Sequence, residues 1–406
     1  MRDLPEALSL LGGGFLLLPP SPGLWGWVLP ALYFLVLFLG QGAIVLLALR
    51  MPGLDPSEIP AGAGPTSARV SVIIPARNER EDLSRCLDDL RAQDWVQRGG
   101  WMETLVIDGG STDGTAEMAR RHPLAPTVLE EPPLPEGWVG KNWACHQGAL
   151  QAKGDRLLFL DADVRLAPAA VRAAVVRQAE TGADLLTFAA RVVMEGFWEK
   201  VVLPLYVQFV LLFYLAPHVN RDDSSRAMAN GQFMFFTRAG YERSGGHLSV
   251  RGVVLEDVRL AQEVKRRGGK LRVFWCPELV STRMYTSRKE MGEGLLKNLH
   301  GTRFSFGRQL GLALVVFLFF LSPFLVLALA LLGLLSWPWA VVALAIVVLT
   351  VLKQVAFQRA VRAPRAYGLL YPVGCAYYLV LFARSLALGL RGGKVLWKGR
   401  AYDIDT

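Results

Sequence analysis

Three long apolar segments, one near the start of the chain and two near its end, most constrain what this chain can fold into. They cover residues 24–49, 310–335 and 337–357. Each is long enough to cross the roughly 30 Å hydrocarbon core of a bilayer as a helix. Trp25 and Trp27 lie near one end of the first segment, where interfacial aromatic residues are expected. We therefore expect a membrane protein whose polar middle forms one sizeable domain outside the bilayer.

A fourth apolar run, residues 369–390, carries Arg384 in its interior. A charge is costly there in a full span, so we interpret the run as re-entrant or interfacial, with a complete span as the alternative. A shorter run at residues 7–18 is also interpreted as re-entrant or interfacial. The expected division is a membrane anchor over 1–51, a Pro- and Gly-rich linker over 52–67, the middle domain over 68–305 and a C-terminal membrane region with a cytoplasmic tail over 306–406.

The net charge of +9 and the four cysteines limit the partners and the compartment. Part of the basic excess adjoins the apolar segments without any nucleic-acid motif, which favours anionic lipid headgroups over nucleic acid. The cysteines lack metal-ligand spacing, which indicates a reducing compartment and no structural zinc site. Basic residues flank the C-terminal pair of apolar segments on both sides, so the middle domain is expected in the cytoplasm and the chain in the cytoplasmic membrane as a multi-pass protein.

The middle domain opens with two strand–loop–helix units, the pattern of a parallel α/β sheet. The first strand ends in Pro75-Ala76-Arg77-Asn78-Glu79, and the second in a glycine-rich loop that begins at Asp108. Ligands gather at the carboxyl ends of such strands. Asp108 is placed to accept hydrogen bonds from a nucleobase or ribose, whereas Asp113 is interpreted as a helix cap.

A third strand, residues 157–160, ends at Asp161-Ala162-Asp163. Two carboxylates spaced i, i+2 across a turn can face one divalent cation, and Mg²⁺ or Mn²⁺ prefers such oxygen ligands alongside substrate phosphates. Further along, Glu256 and Asp257 open a predicted helix. A helix N-terminus favours the ionised carboxylate, and an in-line sugar transfer needs one carboxylate to take the acceptor proton.

These motifs resemble those of family 2 glycosyltransferases with the GT-A fold. A further stretch, Gly137-Trp138-Val139-Gly140-Lys141-Asn142-Trp143-Ala144, narrows the similarity. It resembles the membrane subgroup that glycosylates bacterial polyisoprenoid lipids, namely the carotenoid (diaponeurosporenoate-type) and hopanoid-associated enzymes. The Gln-x-x-Arg-Trp motif of processive synthases is missing, and the corresponding segment at 281–287 matches the lipid-modifying subgroup, which indicates single transfer.

The resemblance implies an α/β GT-A domain with flanking transmembrane helices and assigns roles to individual residues. Asp257 is the expected base and Glu256 an orienting or acceptor-binding group. Asp163 with Asp161 would hold the metal, and Lys141 would offset the charge of the leaving diphosphate. The expected donor-binding residues are Pro75, Arg77, Asn78, Glu79, Asp108, Lys141, Asp161 and Arg283.

The expected function is inverting, metal-dependent transfer of a sugar from a nucleotide donor, such as a UDP-hexose, to a membrane lipid. The Glu256-Asp257 pair favours a hydroxylated carotenoid or hopanoid as acceptor, because it would repel an ionised carboxylate. The alternatives are a polyprenyl-phosphate or polysaccharide glycosyltransferase, or a non-catalytic membrane protein that retains the fold. One further apolar stretch, residues 197–216, is predicted to be either an interfacial helix or a core helix.

Overall fold

A computed structural model of the chain describes residues 23, 25–49, 53–59, 67–213, 218–301, 306–390, 394–397 and 400–403. The predicted interfacial run at residues 7–18 lies outside these residues. The chain divides into two compact units. The smaller one comprises Met1–Val45 and Gly307–Val380, and the larger one Leu46–Phe306 and Leu381–Thr406.

In chain order, the helices and strands are α1 (Trp25–Leu49), β1 (Arg69–Ala76), α2 (Arg80–Arg91), α3 (Asp94–Gln97), β2 (Trp101–Asp108), α4 (Thr115–Arg121), β3 (Thr127–Glu130), α5 (Gly140–Gln151), β4 (Arg156–Leu160), β5 (Val164–Leu166), α6 (Ala170–Thr181), β6 (Leu185–Ala189), β7 (Arg191–Val192), α7 (Phe197–Phe213), β8 (Phe233–Thr237), α8 (Arg238–Ser244), α9 (Glu256–Arg266), β9 (Leu271–Trp275), β10 (Val280–Thr282), α10 (Arg288–Gly301), α11 (Phe306–Val316), α12 (Ser322–Leu331), α13 (Trp337–Ala360), α14 (Tyr371–Leu390), β11 (Lys394–Trp397) and β12 (Arg400–Asp403).

Within the described residues, the larger unit is built on a seven-stranded mixed sheet in the order β3-β2-β1-β4-β8-β6-β9. Strands β3, β2, β1 and β4 run parallel, so their carboxyl ends lie along one edge. Strand β8 is antiparallel to both β4 and β6. Nearly every residue of β1 and β4 is buried, because helices cover both faces of the sheet. The α/β class expected from the sequence is confirmed.

Strand β5 follows the Asp161–Asp163 turn directly in the chain and forms a smaller sheet in the order β5-β10-β7. Its register pairs Val164 with Thr282, which brings the end of β10 beside that turn. The pairing of residues more than a hundred positions apart cannot be read from local patterns. It gives the acidic turn a neighbour that the sequence analysis did not assign.

Two segments are more deeply packed than the sequence analysis assumed. In α7, Val202, Leu203 and Leu205 are buried in the protein, which favours the core-helix alternative; residues 214–216 lie outside the described part. In the segment predicted as a linker, Leu54 and Ile59 join the hydrophobic core. Burial of these two apolar side chains is favourable, so the segment packs into the core instead of remaining a solvated linker.

In the smaller unit, aromatic and amide contacts join helices α1 and α13. The rings of Trp27 and Trp337 are 4.8 Å apart at the starts of α1 and α13. Further along both helices, Gln41 Nε2 donates to Thr350 Oγ1 at 3.4 Å. Helices α1 and α13 therefore run side by side in the same direction.

Three helical segments of the described residues are long and apolar enough to cross a membrane: Gly307–Leu331, Trp337–Ala360 and Arg365–Leu390. The first joins α11 and α12 through a π-helical turn, Phe317–Leu321. The third contains the run interpreted as re-entrant, so by length and composition the complete-span alternative also stands. The apolar part of α1 found here, Gly26–Gly42, is shorter.

Candidate active site

The loops after β1 and β2 are joined to each other by their own side chains. Asn78 adopts a positive φ of 55°, a conformation that asparagine tolerates better than most residues. Its N–H donates to Ser111 Oγ at 3.0 Å, and its Oδ1 accepts from the Thr112 N–H at 2.8 Å. The Glu79 N–H likewise donates to Thr115 Oγ1 at 3.0 Å. Asn78 and Glu79 thus shape the predicted donor-binding loop.

Pro75, near the end of β1, and Arg77, in the loop that follows, have different surroundings. The Arg77 side chain is exposed, whereas Pro75 is the half-buried last-but-one residue of β1 and is in register with Ile107. Arg77 therefore adds an exposed positive charge to the predicted donor-binding loop. A cation there can approach a phosphate without breaking the loop's hydrogen bonds.

Asp108 has a buried carboxylate with one oxygen in use. Oδ2 accepts from the Ser111 N–H at 3.2 Å. Oδ1 is buried and has no hydrogen-bond partner among the described residues. Buried polar atoms are nearly always hydrogen-bonded, so this oxygen is suited to a donor group on a ligand. An imide N–H of a nucleobase or a ribose hydroxyl has the required chemistry.

Asp113 behaves as the sequence analysis expected of a capping residue. Its Oδ1 accepts from the N–H and the hydroxyl of Thr115, the first residue of α4, with the N–H contact at 3.0 Å. Its Oδ2 accepts from the Arg80 N–H at 3.2 Å. This side chain therefore supports the loops and the helix start.

Lys141 is the centre of the ionic contacts at the site. Its ammonium lies 2.7 Å from Asp161 Oδ1 and 2.9 Å from Glu256 Oε1. Burial alone would lower the pKa of Lys141, but the two carboxylates outweigh it and hold the pKa well above its usual value. The side chain is therefore a fixed cation between the end of β4 and the start of α9.

The side chain of Asn142 joins α5, which carries Lys141, to the loop that precedes α9. Its fully buried amide donates to the carbonyls of Val250 and Val253, at 2.8 and 2.9 Å. Those carbonyls belong to the loop that leads into Glu256. Because Asn142 follows Lys141 directly, the helix that carries the cation and the loop that precedes the carboxylate are fastened together.

Asp257 is held by backbone donors and has a raised pKa. Its Oδ2 accepts from the Gly231 N–H at 2.9 Å, and its Oδ1 from the Val258 N–H at 2.8 Å. Desolvation by the surrounding protein, followed by the neighbouring Glu256 charge, raises the pKa of Asp257 to about 6, against the lowering effect of Lys141. An acid with this pKa is largely ionised at neutral pH and can accept a proton.

Gly231 lies between Asp257 and Lys141. A Cβ atom at this position would be 3.1 Å from Asp257 Oδ2 and 3.3 Å from Lys141 Nζ. A side chain here would crowd both groups, so glycine lets the backbone pass this close to them.

Asp163 contacts the smaller sheet. Its Oδ2 accepts from Thr282 Oγ1 at 3.2 Å, while Asp161, two residues earlier, contacts Lys141. No group of three or more His, Cys, Asp or Glu residues suited to a metal occurs among the described residues. The two aspartates on one turn fit a hard cation that completes its shell with diphosphate oxygens and water, as Mg²⁺ commonly does.

The guanidinium of Arg283 forms ion pairs with two glutamates near the start of α7. Its guanidinium lies 2.6 Å from Glu195 Oε2 and 3.1 Å from Glu199 Oε1. The Glu199 hydrogen bond is the main cause of the raised pKa of Arg283. These ion pairs account for the position of the Arg283 side chain without a bound nucleotide sugar. A contact of Arg283 with the diphosphate of the nucleotide sugar would have to compete with them.

Lys297 is the main residue that the sequence analysis missed, having counted it only as a basic flank. Burial lowers the pKa of this α10 lysine, and Lys141 adds to the lowering; the charges of Glu256, Asp257 and Asp161 act in the opposite direction. The side chain therefore faces the same carboxylates as Lys141. A lone lysine within Leu295-Leu296-Lys297-Asn298-Leu299 was the only sequence signal.

Comparisons with known proteins show which family and which proteins this chain is similar to. Residues 71–244 match the family model described as "Glycosyl transferase family 2". The 4,4'-diaponeurosporenoate glycosyltransferase of Staphylococcus aureus (strain MRSA252) is 26% identical over 349 residues, which is 83% of this chain and 88% of that protein. The enzyme of the same name from Staphylococcus haemolyticus is 29% identical over 248 residues. That match covers 58% of this chain and 62% of the relative, less than two thirds of its length.

A solved structure with a similar fold is the mannosyltransferase from Pyrobaculum calidifontis in complex with GDP-Man and Mn²⁺. It is 21% identical, with a TM-score of 0.49, and the match covers 89% of this chain and 99% of that one. The family match, the curated relatives and the mixed α/β fold agree with the resemblance drawn from the motifs. The chain therefore carries a domain over residues 71–244 that matches glycosyl transferase family 2, and it is similar to bacterial carotenoid glycosyltransferases.

Proposed function

We propose that this protein transfers a hexose, with inversion and with the help of a divalent cation, from a nucleotide-sugar donor to a carotenoid-class membrane lipid. The observation that carries the proposal is the contact of Lys141 with both Asp161 and Glu256, immediately beside Asp257. This arrangement sets a cation for a leaving diphosphate next to a carboxylate with the pKa of a general base. The catalytic domain lies on the cytoplasmic side, and the long apolar helices hold it at the lipid that it modifies.

The donor side uses three groups. Asp108 Oδ1 accepts a hydrogen bond from the nucleobase or ribose, and Lys141 lies against the diphosphate. Asp161 and Asp163 would hold Mg²⁺ or Mn²⁺. When bound, the cation neutralises charge that develops on the diphosphate as the glycosidic bond breaks. Lys141 serves the same electrostatic purpose from the other flank.

The acceptor side depends on Asp257. The acceptor oxygen attacks the anomeric carbon from the face opposite the diphosphate, a C–O bond forms, and the bond to the diphosphate oxygen breaks. The hydroxyl proton passes to Asp257, and the nucleoside diphosphate leaves. A hydroxyl has a pKa far above neutrality, so it needs this base, and Asp257 is largely ionised at pH 7. We therefore favour a hydroxylated acceptor, a carotenoid alcohol or a hopanoid.

A carboxylated carotenoid is the second candidate, and two observations favour it. The relatives from Staphylococcus are named for diaponeurosporenoate, a carboxylate. In addition, Lys297 adds a second cation to the acidic group around Asp257, which would offset the repulsion that Glu256 and Asp257 exert on an anionic acceptor. The two candidates differ in product, since an alcohol gives a glycoside and an acid gives a glycosyl ester.

Lipid extracts of a deletion strain, compared by mass spectrometry with the parent, test the proposal. We expect one glycosylated isoprenoid lipid to disappear and its aglycone to accumulate. Complementation with the wild-type gene should restore the lipid, and so should Asp223→Asn, a change at an exposed acid paired with Arg221. Asp257→Asn should fail to do so. Unchanged lipids in the deletion strain would refute the assignment, and mild alkali distinguishes an ester from a glycoside.

A further inference from the structure

A half-buried cation lies between the apolar helices of the smaller unit. Lys353 is about two helical turns before Ala360, the last residue of α13, and therefore about 10 Å from the end of that helix. Its ammonium donates to Gln41 Oε1 of α1 and lies 4.8 Å from the centre of the Phe320 ring.

Both of these partners are electrically neutral. The described residues of this unit, which lie within 23–45 and 307–380, contain no aspartate or glutamate. An amide oxygen and an aromatic face give a cation some stabilisation. They do not neutralise it, and an uncompensated charge among apolar helices is costly. An anion bound beside Lys353 would remove this cost.

The surroundings of Lys353 are arranged in a fixed way. Gln41 Nε2 donates to the Phe319 carbonyl at 2.8 Å, so the amide oxygen is turned toward the lysine. Phe319 belongs to the π-helical turn Phe317–Leu321, and such turns leave carbonyls open to outside donors. Gly40 lets the Phe319 ring approach, because a Cβ there would be 2.1 Å from Cε1 of the ring.

We propose that Lys353 and Gln41 form a binding site for the anionic headgroup, phosphate or carboxylate, of a membrane-dissolved lipid. Lys353 supplies the positive charge, and the ammonium protons not used by Gln41 bind the anionic oxygens. The proposal rests on the membrane insertion that forms part of the proposed function, and it is independent of sugar transfer. The phosphate would come from an anionic phospholipid, and the carboxylate from an acidic isoprenoid.

The test is native mass spectrometry of the purified full chain with four lipids in matched pairs. Phosphatidylglycerol is compared with phosphatidylcholine, and retinoic acid with retinol. We expect the wild type to retain the anionic member of at least one pair, and the pair that responds identifies the source. Lys353→Met should weaken that retention about tenfold or more, since a charge-assisted contact is lost. Lys353→Arg and the helix-end control Arg359→Met should keep it.

Equal retention of anionic and neutral lipids by the wild type would overturn the proposal, and so would unchanged retention by Lys353→Met. A second measurement needs no variant: the preferred anionic lipid should raise the melting temperature of the wild type above that with its neutral partner. No such difference would also overturn the proposal. Because neither measurement involves sugar transfer, a failure here leaves the glycosyltransferase assignment untouched.

Discussion

The Lys141 ammonium lies 2.9 Å from Oε1 of Glu256, the residue that precedes the expected base. Lys141 and Glu256 act on Asp257 with opposite signs, since Glu256 raises the pKa of Asp257 and Lys141 lowers it. The strength of the base thus depends on a cation that is also placed to meet the leaving diphosphate. Substitutions of these two residues should therefore move the pH dependence of transfer in opposite directions.

Glu256→Gln should lower the pKa of Asp257 below its value of about 6, because the neighbouring negative charge is removed. Asp257 must be ionised to act as base, so the acid limb of the kcat/KM profile should move to lower pH. The measurement is kcat/KM from pH 4.5 to 8 in detergent or nanodiscs. Glu242→Gln, at an exposed position on α8, serves as control. An acid limb that stays in place would remove Glu256 from the electrostatics of the base.

Lys141→Met should move the acid limb of the residual activity to higher pH, because a charge that lowers the pKa of Asp257 is lost. The rate should also fall, since the cation that contacts Asp161 and Glu256 would no longer offset the leaving-group charge. Lys141→Arg preserves the charge and should leave the limb near its original position. If Lys141→Met and Glu256→Gln shifted the profile in the same direction, the opposing roles proposed for them would be wrong.

Asp257→Asn should slow transfer to a hydroxyl acceptor by about 10²–10⁴-fold, the usual cost of losing a general base, with donor affinity retained.

The same substitution should not lower the stability of the folded protein above pH 6. The folded-state pKa of Asp257 is raised to about 6, so folded protein holds this proton more tightly than unfolded chain. Stability from this group is complete below the unfolded pKa and is lost as pH rises through 6. Thermal melts at pH 7.5 should show Asp257→Asn to be at least as stable as wild type.

Asp163→Asn should abolish transfer and leave the fold intact, because one charge is lost where two carboxylates would hold a hard cation. Excess EDTA should inactivate the wild type, and Mg²⁺ or Mn²⁺ should restore it. Thr282→Val is an informative companion, since it removes the hydroxyl that contacts Asp163 at 3.2 Å without removing the charge. A wild-type enzyme that transfers sugar equally well in EDTA would show the metal assignment to be mistaken.

Cysteine labelling in intact cells should find residues near Trp337 outside, and the 361–364 loop and the tail inside. The four native cysteines are all buried, which permits selective labelling of Ser336→Cys, Arg362→Cys and Asp403→Cys. Strand β11 runs beside α10 within the larger unit, so the tail should share the side of the catalytic domain. Segment 365–390 would then begin and end on one face, as a re-entrant helix does. A tail labelled from outside would make it a complete span.

The position of Asp108 and Asp161 at one edge of the sheet was predictable, because parallel strands bring their carboxyl ends together there. The position of Asp257 in the first turn of α9 was predictable from the acidic pair. Contacts between distant segments were not. The role of Lys297 depends on how α10 packs, and the commitment of Arg283 to Glu195 and Glu199 depends on α7. Sequence periodicity fixes which face of a helix is apolar, and it leaves open what a polar residue on that helix will meet.

The buried Asn142 amide has a consequence for the timing of catalysis. It fastens the loop before Glu256 to the helix that bears Lys141, through hydrogen bonds to three carbonyls of that loop. The spacing between leaving-group cation and base is thus built before either substrate arrives. Substrate binding need not spend free energy on ordering these two groups, and what remains for it is to bring the anomeric carbon and the acceptor oxygen into line.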